Sequence, residues 1–164
     1  MRLFFALWPP AAAARALAEW AAAVQRDCGG RATKEDTIHL TLAFLGEADP
    51  EQAIAAAQGA RGDAFELPVE TAKYWRHNEI VWVGPLTMPP ALEALVGSLQ
   101  GRLREASFVL EKRPFAAHIT LLRRAPQPTA LPPLPRVAWP AREFVLVRSE
   151  PGARYQVVQR FPLH

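Results

Sequence analysis

The sequence has little cysteine, little lysine and no long apolar run. Cys28 is the only cysteine in 164 residues, which excludes an internal disulfide and a cysteine-based metal site, and a lone thiol agrees with a reducing compartment. The apolar run at residues 3–8 ends after six residues at Pro9-Pro10, so it is too short for a membrane span or a signal peptide. We therefore expect a cytoplasmic protein that does not insert into a membrane.

The composition is that of an ordinary globular chain. Half of the residues are apolar and 21% are charged, and 164 residues suit one domain, residues 1–164, better than two. Of the 19 basic residues only Lys34, Lys73 and Lys112 are lysines. Arginine binds phosphate in a bidentate manner and stacks on bases, which suits an RNA ligand. Codon bias explains the excess of arginine equally well, since alanine is also abundant. The net charge of +3 therefore does not establish an RNA ligand.

The chain contains one internal repeat. Each copy has a strand, a helix that begins after two prolines, and a strand with a His-x-Thr motif. In the first copy these are residues 2–8, Pro9-Pro10 to about 25, and 38–44. In the second copy they are residues 80–83, Pro89-Pro90 onward, and 118–122. The proline pairs lie 80 residues apart and the two histidines 79. The repeat predicts a bilobal fold with a pseudo-twofold axis and a cleft between two similar lobes.

The remaining segments predict an α+β fold. We expect a helix at about 50–61 and further strands at 65–75, 79–84, 142–148 and 154–161. Residues 126–140 contain six prolines and are expected to form a surface connection. The resulting sheets are mostly antiparallel and line the central cleft.

The two His-x-Thr motifs are the candidate chemical site. Side chains at positions i and i+2 of a strand share a face, so His39 lies beside Thr41 and His118 beside Thr120. The alternating aliphatic residues form the opposite, buried face. The lobe symmetry then brings both polar pairs together across the cleft.

Two imidazoles and two hydroxyls suit phosphoryl transfer. One histidine can be neutral and the other protonated at the same pH, which provides a general base and a general acid, while hydroxyls and an arginine can hold phosphate oxygens. Metal binding is the competing use of histidine. Because His77 falls in a predicted turn and His164 is the last residue, no third ligand is in place, and we expect no metal and no cofactor.

Four segments resemble a known family: residues 2–7 (RLFFAL) with Pro9-Pro10, 39–47 (HLTLAFLGE), 81–84 (VWVG) and 113–123 (RPFAAHITLLR). They are similar to the two-histidine phosphoesterase superfamily, and within it to the RNA 2′,3′-cyclic phosphodiesterases, also called 2′-5′ RNA ligases. The similarity spans essentially the whole chain. The paired motifs are specific together and weak singly. One departure is Ala117, where similar proteins commonly have a proline.

The resemblance implies hydrolysis of an RNA-terminal 2′,3′-cyclic phosphate to a 2′-phosphate without a cofactor. His39 then matches the general acid that protonates the departing O3′, and His118 matches the general base that activates water. Thr41 and Thr120 match the phosphate-binding hydroxyls, and Arg123 matches the phosphate-contacting arginine. Strict strand alternation puts Arg123 on the face opposite His118 and Arg124 on the same face. Either a bulge before Arg123 turns it towards His118, or Arg124 contacts the phosphate instead.

Several alternatives stay open at this point. The substrate could be a 2′-5′-linked oligonucleotide or a small nucleotide cyclic phosphate. Formation of a 2′-5′ bond between RNA ends is the reverse of the same chemistry. A non-catalytic RNA-binding module is a further alternative. Trp75, next to a predicted turn, is the candidate for stacking on a nucleobase, whereas Phe5, Trp8 and Trp82 are more typical of a core. Residues 29–34 suggest no clear ligand contact. We expect a monomer without an obligate protein partner.

Overall fold

The computed structural model describes residues 1–152 and 154–164. Its elements in chain order are β1 (Arg2–Leu7), α1 (Ala11–Cys28), β2 (Arg31–Ala32), a short 3₁₀-helix (Glu35–Thr37), β3 (Leu40–Glu47), α2 (Pro50–Gln58), β4 (Phe65–Glu66), β5 (Thr71–Trp75), β6 (Ile80–Gly84), α3 (Pro90–Glu105), β7 (Ile119–Arg123), β8 (Pro140–Ala141), β9 (Glu143–Glu150) and β10 (Arg154–Pro162).

Two four-stranded sheets form the framework. The first sheet has the order β10-β9-β1-β3 and the second β2-β7-β6-β5, and a two-stranded ladder joins β4 to β8. Every pairing is antiparallel. In both copies of the repeat, β1-α1-β3 and β6-α3-β7, the two strands are hydrogen-bonded neighbours. The α+β class with antiparallel sheets is thus confirmed.

The long helices cross over between the two halves of the repeat. Helix α1 packs against β2 and β7 of the second sheet, whereas α3 packs against β3 of the first sheet and against α2. Each helix buries one apolar stripe; in α1 it is formed by Ala13, Ala14, Leu17, Trp20, Ala21 and Val24. This exchange ties the halves together, and β3 of the first sheet contacts β7 of the second. None of the helices in the described ranges has the length and apolar character that crossing a bilayer requires.

Some predicted boundaries are wrong for identifiable reasons. The strand expected at 65–75 is two strands, β4 and β5, which pair with different partners. Pro68 lies between them, and a proline has no amide hydrogen to donate to a ladder. Helix α2 ends at Gln58 rather than near residue 61, because Gly59 forms its C-terminal cap. His39 and His118 each stand one residue before their strand rather than inside it.

Both His-x-Thr strands carry a bulge at the same point of the repeat. The β1–β3 register passes from Phe5↔Ala43 to Ala6↔Thr41 and skips Leu42. The β6–β7 register passes from Val81↔Leu122 to Trp82↔Thr120 and skips Leu121. A bulge places two residues opposite one and reverses the alternation beyond it. Residues three positions apart, such as Thr120 and Arg123, therefore share a face.

Candidate active site

A cavity of about 770 Å³ lies where the two His-x-Thr strands meet. Its size falls within the range of about 300–1,000 Å³ that is typical of small-molecule sites. It is lined by Arg31, Ala32, Thr33, Lys34, Thr37, His39, Thr41, Asn78, Ile80, His118, Thr120, Arg123, Gly152 and Tyr155. The structure thus brings all five residues predicted from the sequence into one cavity. Their roles are chemical proposals, taken up below.

The tautomer of His39 follows from its hydrogen bonds. Its Nδ1 lies 2.6 Å from the carbonyl oxygen of Thr37, and a carbonyl only accepts, so Nδ1 carries the hydrogen. The Nε2 atom lies 3.1 Å from the hydroxyl oxygen of Thr41. In the neutral ring Nε2 therefore accepts from Thr41, and this atom exchanges protons with the cavity.

Aromatic rings enclose His39 on several sides. The Trp8 ring stacks on it with centroids 5.0 Å apart and planes 8° apart. Phe4 lies tilted at 5.0 Å and Tyr155 edge-on at 5.5 Å. Burial among these rings is the main cause that lowers the pKa of His39 to about 4; the bond to Thr37 opposes the shift, and the positive charge of Arg123 contributes to it. Without a bound anion, His39 is neutral at pH 7.

His118 is held in the same way on the other side of the cavity. Its Nδ1 donates to the carbonyl oxygen of Ala116 at 2.9 Å, which leaves Nε2 for the cavity. The Trp75 ring lies 4.7 Å away and the Trp82 ring 6.3 Å. Burial lowers the pKa of His118, the bond to Ala116 opposes this, and Arg123 lowers the pKa further. Both histidines thus bond to the carbonyl two residues earlier, as the repeat demands.

A close backbone contact fixes the segment that carries His118. A Cβ atom at Gly84 would lie 2.7 Å from the carbonyl oxygen of Ala117, closer than such atoms approach. Gly84 at the end of β6 therefore allows the chain before His118 to lie directly against that strand. The contact explains why the residue at the end of the Val-Trp-Val-Gly segment is a glycine: any side chain there would collide with the backbone before His118.

Arg123, rather than Arg124, lies in the cavity. The bulge at Leu121 turns Arg123 onto the face of Thr120, and its charge lowers the pKa of both His39 and His118. Arg124 follows the strand in a left-handed conformation with φ of 50° and does not line the cavity. Of the two alternatives that the sequence left open, a bulge or Arg124, the structure has the bulge.

Several cavity residues were missed by the sequence analysis. Arg31, Thr33 and Lys34 line the cavity, although residues 29–34 suggested no contact. Thr33 is anchored there by a hydrogen bond from its hydroxyl to the carbonyl oxygen of Thr120, at 2.9 Å. Tyr155 comes from β10, near the end of the chain. Their placement depends on pairings between distant segments, and no local motif signals it.

A second cavity of about 410 Å³ adjoins the first and shares Thr41, Asn78 and His118 with it. Its walls are largely apolar and include Phe44, Trp75, Leu110, Pro114 and Phe115. Trp75, the residue expected to stack on a base, is half-buried in this wall. Trp82 and Phe5 are buried in the core, as expected, whereas Trp8 packs on His39.

No group of three or more His, Cys, Asp or Glu side chains that could hold a metal ion occurs in residues 1–152 and 154–164. The two cavity histidines have threonines, an arginine and an asparagine as neighbours. These residues suit an anion better than a divalent cation.

Comparison with known proteins agrees with this geometry. Residues 7–82 match the family model described as LigT-like phosphoesterase. The chain is 35% identical to the RNA 2′,3′-cyclic phosphodiesterase of Escherichia coli over 99% of its own length and 96% of the relative's. The chain belongs to the LigT-like phosphoesterase family. The prediction of an enzyme from this family is therefore confirmed.

Two further similarities support the family assignment. The RNA 2′,3′-cyclic phosphodiesterase of Thermus thermophilus is also 35% identical, over 99% of this chain and 90% of the relative. The apo crystal structure of E. coli LigT superposes with a TM-score of 0.88 at 32% identity, covering 99% of this chain and 96% of that one. The LigT-like fold thus extends beyond the matched segment to the second lobe, where His118 lies.

Proposed function

We propose that this LigT-like enzyme hydrolyses the 2′,3′-cyclic phosphate at the end of an RNA and leaves a 2′-phosphate. The observation that carries the proposal is the symmetric pair of imidazoles. His39 and His118 share one cavity, and each is locked through Nδ1 to a backbone carbonyl so that Nε2 is the reactive atom. The hydroxyl oxygen of Thr41 lies 3.1 Å from Nε2 of His39, and Thr120 lines the same cavity as His118.

In the proposed reaction, the oxygen of a water molecule attacks phosphorus as the bond from phosphorus to O3′ breaks. His118 accepts the proton of the water at Nε2, and His39 donates a proton from Nε2 to the departing O3′. Thr41, Thr120 and Arg123 hold the non-bridging oxygens, where negative charge is concentrated. No further co-reactant is needed, and the two rings return to their initial states by proton exchange with solvent.

The acid role requires that His39 takes up a proton when substrate binds. Its pKa of about 4 leaves it neutral in the free enzyme at pH 7. A cyclic phosphate placed beside the ring brings a negative charge that offsets the burial and the repulsion from Arg123, and so raises the pKa. The substrate thus generates the acid that its own cleavage needs.

The relatives support this substrate class. The E. coli and T. thermophilus proteins are both named RNA 2′,3′-cyclic phosphodiesterase, and E. coli LigT has been crystallised with 3′-AMP and with phosphate. We further propose that the chain acts as a single-domain monomer in the cytoplasm, without a metal ion. Formation of a 2′-5′ bond by the reverse reaction belongs to the same proposal, with hydrolysis favoured in water.

The test is incubation with a short RNA that ends in a 2′,3′-cyclic phosphate, with and without a chelator. We expect a 2′-phosphate product in both. His39→Ala and His118→Ala should each lower the rate at least a hundredfold, and His164→Ala, an exposed histidine outside both cavities, should not. A 3′-phosphate product would refute the proposed leaving oxygen. Activity lost with the chelator would refute metal independence, and full activity in either cavity variant would refute the mechanism.

A further inference from the structure

Two arginines on neighbouring strands face each other at the rim of the first cavity. Arg31 of β2 is the direct antiparallel partner of Arg123 of β7, and directly opposed residues share a face of the sheet. Both are exposed, and both line the cavity. Like charges in this position destabilise a sheet unless something offsets them.

The residues on either side of Arg31 hold it close to Arg123. Gly30 has a φ of +96°, and a Cβ atom there would lie 3.0 Å from Ala125 and 3.1 Å from the carbonyl oxygen of Arg123. Glycine adopts this φ without strain, and it has no side chain to crowd β7. The hydrogen bond from Thr33 to the backbone of Thr120 then fixes the following residues against β7, and Lys34 completes the rim.

No carboxylate neutralises these three cations. Arg31, Lys34 and Arg123 form no ion pair with any carboxylate in residues 1–152 and 154–164, and the described lining of the first cavity contains no acidic side chain. Glu35 and Asp36 follow Lys34 but do not line the cavity. Three unneutralised cations exceed what one cyclic phosphate, with a single negative charge, requires.

The second cavity differs in charge. Its Arg113 is paired with Glu111 at 3.1 Å, and its other walls are largely apolar and aromatic. A nucleobase suits such walls better than a phosphate does. The unneutralised positive charge is therefore concentrated on the side of the first cavity that Arg31 and Lys34 form.

We infer that Arg31 and Lys34 form a second phosphate site, which binds the phosphodiester on the 5′ side of the terminal nucleotide. This inference rests on the proposed function, because the cyclic phosphate must occupy the site beside His39 and His118. The next phosphate of an RNA is attached to the same ribose, through O5′, and so lies one sugar away from the cyclic phosphate. Arg31, one strand outward from Arg123, is placed to bind it. The enzyme is then selective for oligonucleotides over mononucleotides.

The test compares two dinucleotides that both end in a 2′,3′-cyclic phosphate. One has the natural phosphodiester between its nucleosides, and the other has a methylphosphonate at that position, in which a methyl group replaces one non-bridging oxygen and removes the negative charge. We expect the wild-type kcat/KM to be higher by about tenfold or more for the charged dinucleotide, as for one charge-assisted contact. Arg31→Gln and Lys34→Gln should each reduce this ratio toward one. Arg15→Gln, the same change on an exposed α1 residue outside both cavities, should preserve it.

The salt dependence gives a second readout. Removal of one phosphate contact by Arg31→Gln should reduce the slope of log kcat/KM against log salt by about 0.7 for the charged dinucleotide. Equal wild-type kcat/KM for the two dinucleotides, or a ratio unaffected by both variants, would overturn the inference. If neither dinucleotide is hydrolysed, the proposed function fails. The second phosphate site is then tested by binding alone, and equal Kd values of the enzyme for the two intact dinucleotides would overturn it.

Discussion

The Trp8 ring stacks on the His39 ring at 5.0 Å, with the two planes only 8° apart. Trp8 follows β1, the strand that pairs with the one His39 precedes. The contact keeps water from one face of the imidazole, and so contributes to the burial that lowers its pKa to about 4.

Replacement of Trp8 by leucine should therefore raise the pKa of His39 in the free enzyme. Water then reaches the ring, and the desolvation that opposes its charged form is reduced. We expect the pKa to rise from about 4 by roughly one unit, and Trp8→Phe to produce a smaller shift. An NMR titration of the His39 ring proton measures it. An unchanged pKa in Trp8→Leu would show that other neighbours cause the shift.

The pH dependence of the reaction should reveal proton uptake on binding. In the free enzyme the pKa values of both His39 and His118 lie below 6.5, so the form with His39 protonated becomes scarce as pH rises. We expect kcat/KM to fall about tenfold per pH unit above pH 6.5. Because bound phosphate raises the pKa of His39, the alkaline fall in kcat should begin at a higher pH. Profiles of kcat and kcat/KM that decline together would contradict this.

His39 should also make the fold sensitive to acid. Its folded pKa of about 4 lies below the ordinary value of 6.5, so between these values the unfolded chain binds a proton that the folded chain does not. Lowering the pH from 6.5 to 4 should therefore reduce the free energy of unfolding by at most about 3 kcal/mol through this residue. Denaturant titrations of wild type and His39→Asn should diverge in this window. Parallel curves would show that His39 titrates alike in both states.

Gly84→Ala should damage catalysis because of a single contact. The new Cβ atom would overlap the carbonyl oxygen of Ala117, 2.7 Å away, and the displaced segment carries His118. We expect kcat to fall at least tenfold, since misplacement of a catalytic group by about 1 Å costs on the order of a hundredfold. Gly97→Ala is the matched control, because nothing lies within 4 Å of its Cβ position on α3. That change should leave kcat unchanged and stabilise the helix by about 0.5–1 kcal/mol. Equal kcat in the two variants would contradict the account.

The sequence predicted which side chains share the cavity, because their positions follow from local patterns. The repeat spacing and the alternation around residues 38–44 and 118–122 placed His39, Thr41, His118 and Thr120 in one cleft, where the structure has them. Ala117 in place of a proline leaves the hydrogen bond from His118 to Ala116 intact.

What the sequence did not predict depends on pairing between distant segments. The sequence left a bulge and Arg124 as alternatives, because counting residues along a strand cannot decide between them, and the bulge at Leu121 is what turns Arg123 into the cavity. Arg31 enters the cavity through a strand of two residues that exists only because β7 lies beside it. The exchange of α1 and α3 between the sheets is likewise set by global packing, since each helix has the same kind of apolar stripe.

The assignment of His39 as acid and His118 as base is tested most directly by a change in the leaving group. In a cyclic phosphate with sulfur in place of O3′, the leaving thiolate is stable without protonation, so the acid becomes dispensable while the base does not. His39→Ala should lose at least a hundredfold in rate on the oxygen substrate but less than tenfold on the sulfur substrate, and His118→Ala should be impaired on both. Rescue of His118→Ala instead of His39→Ala would show that the two roles are reversed.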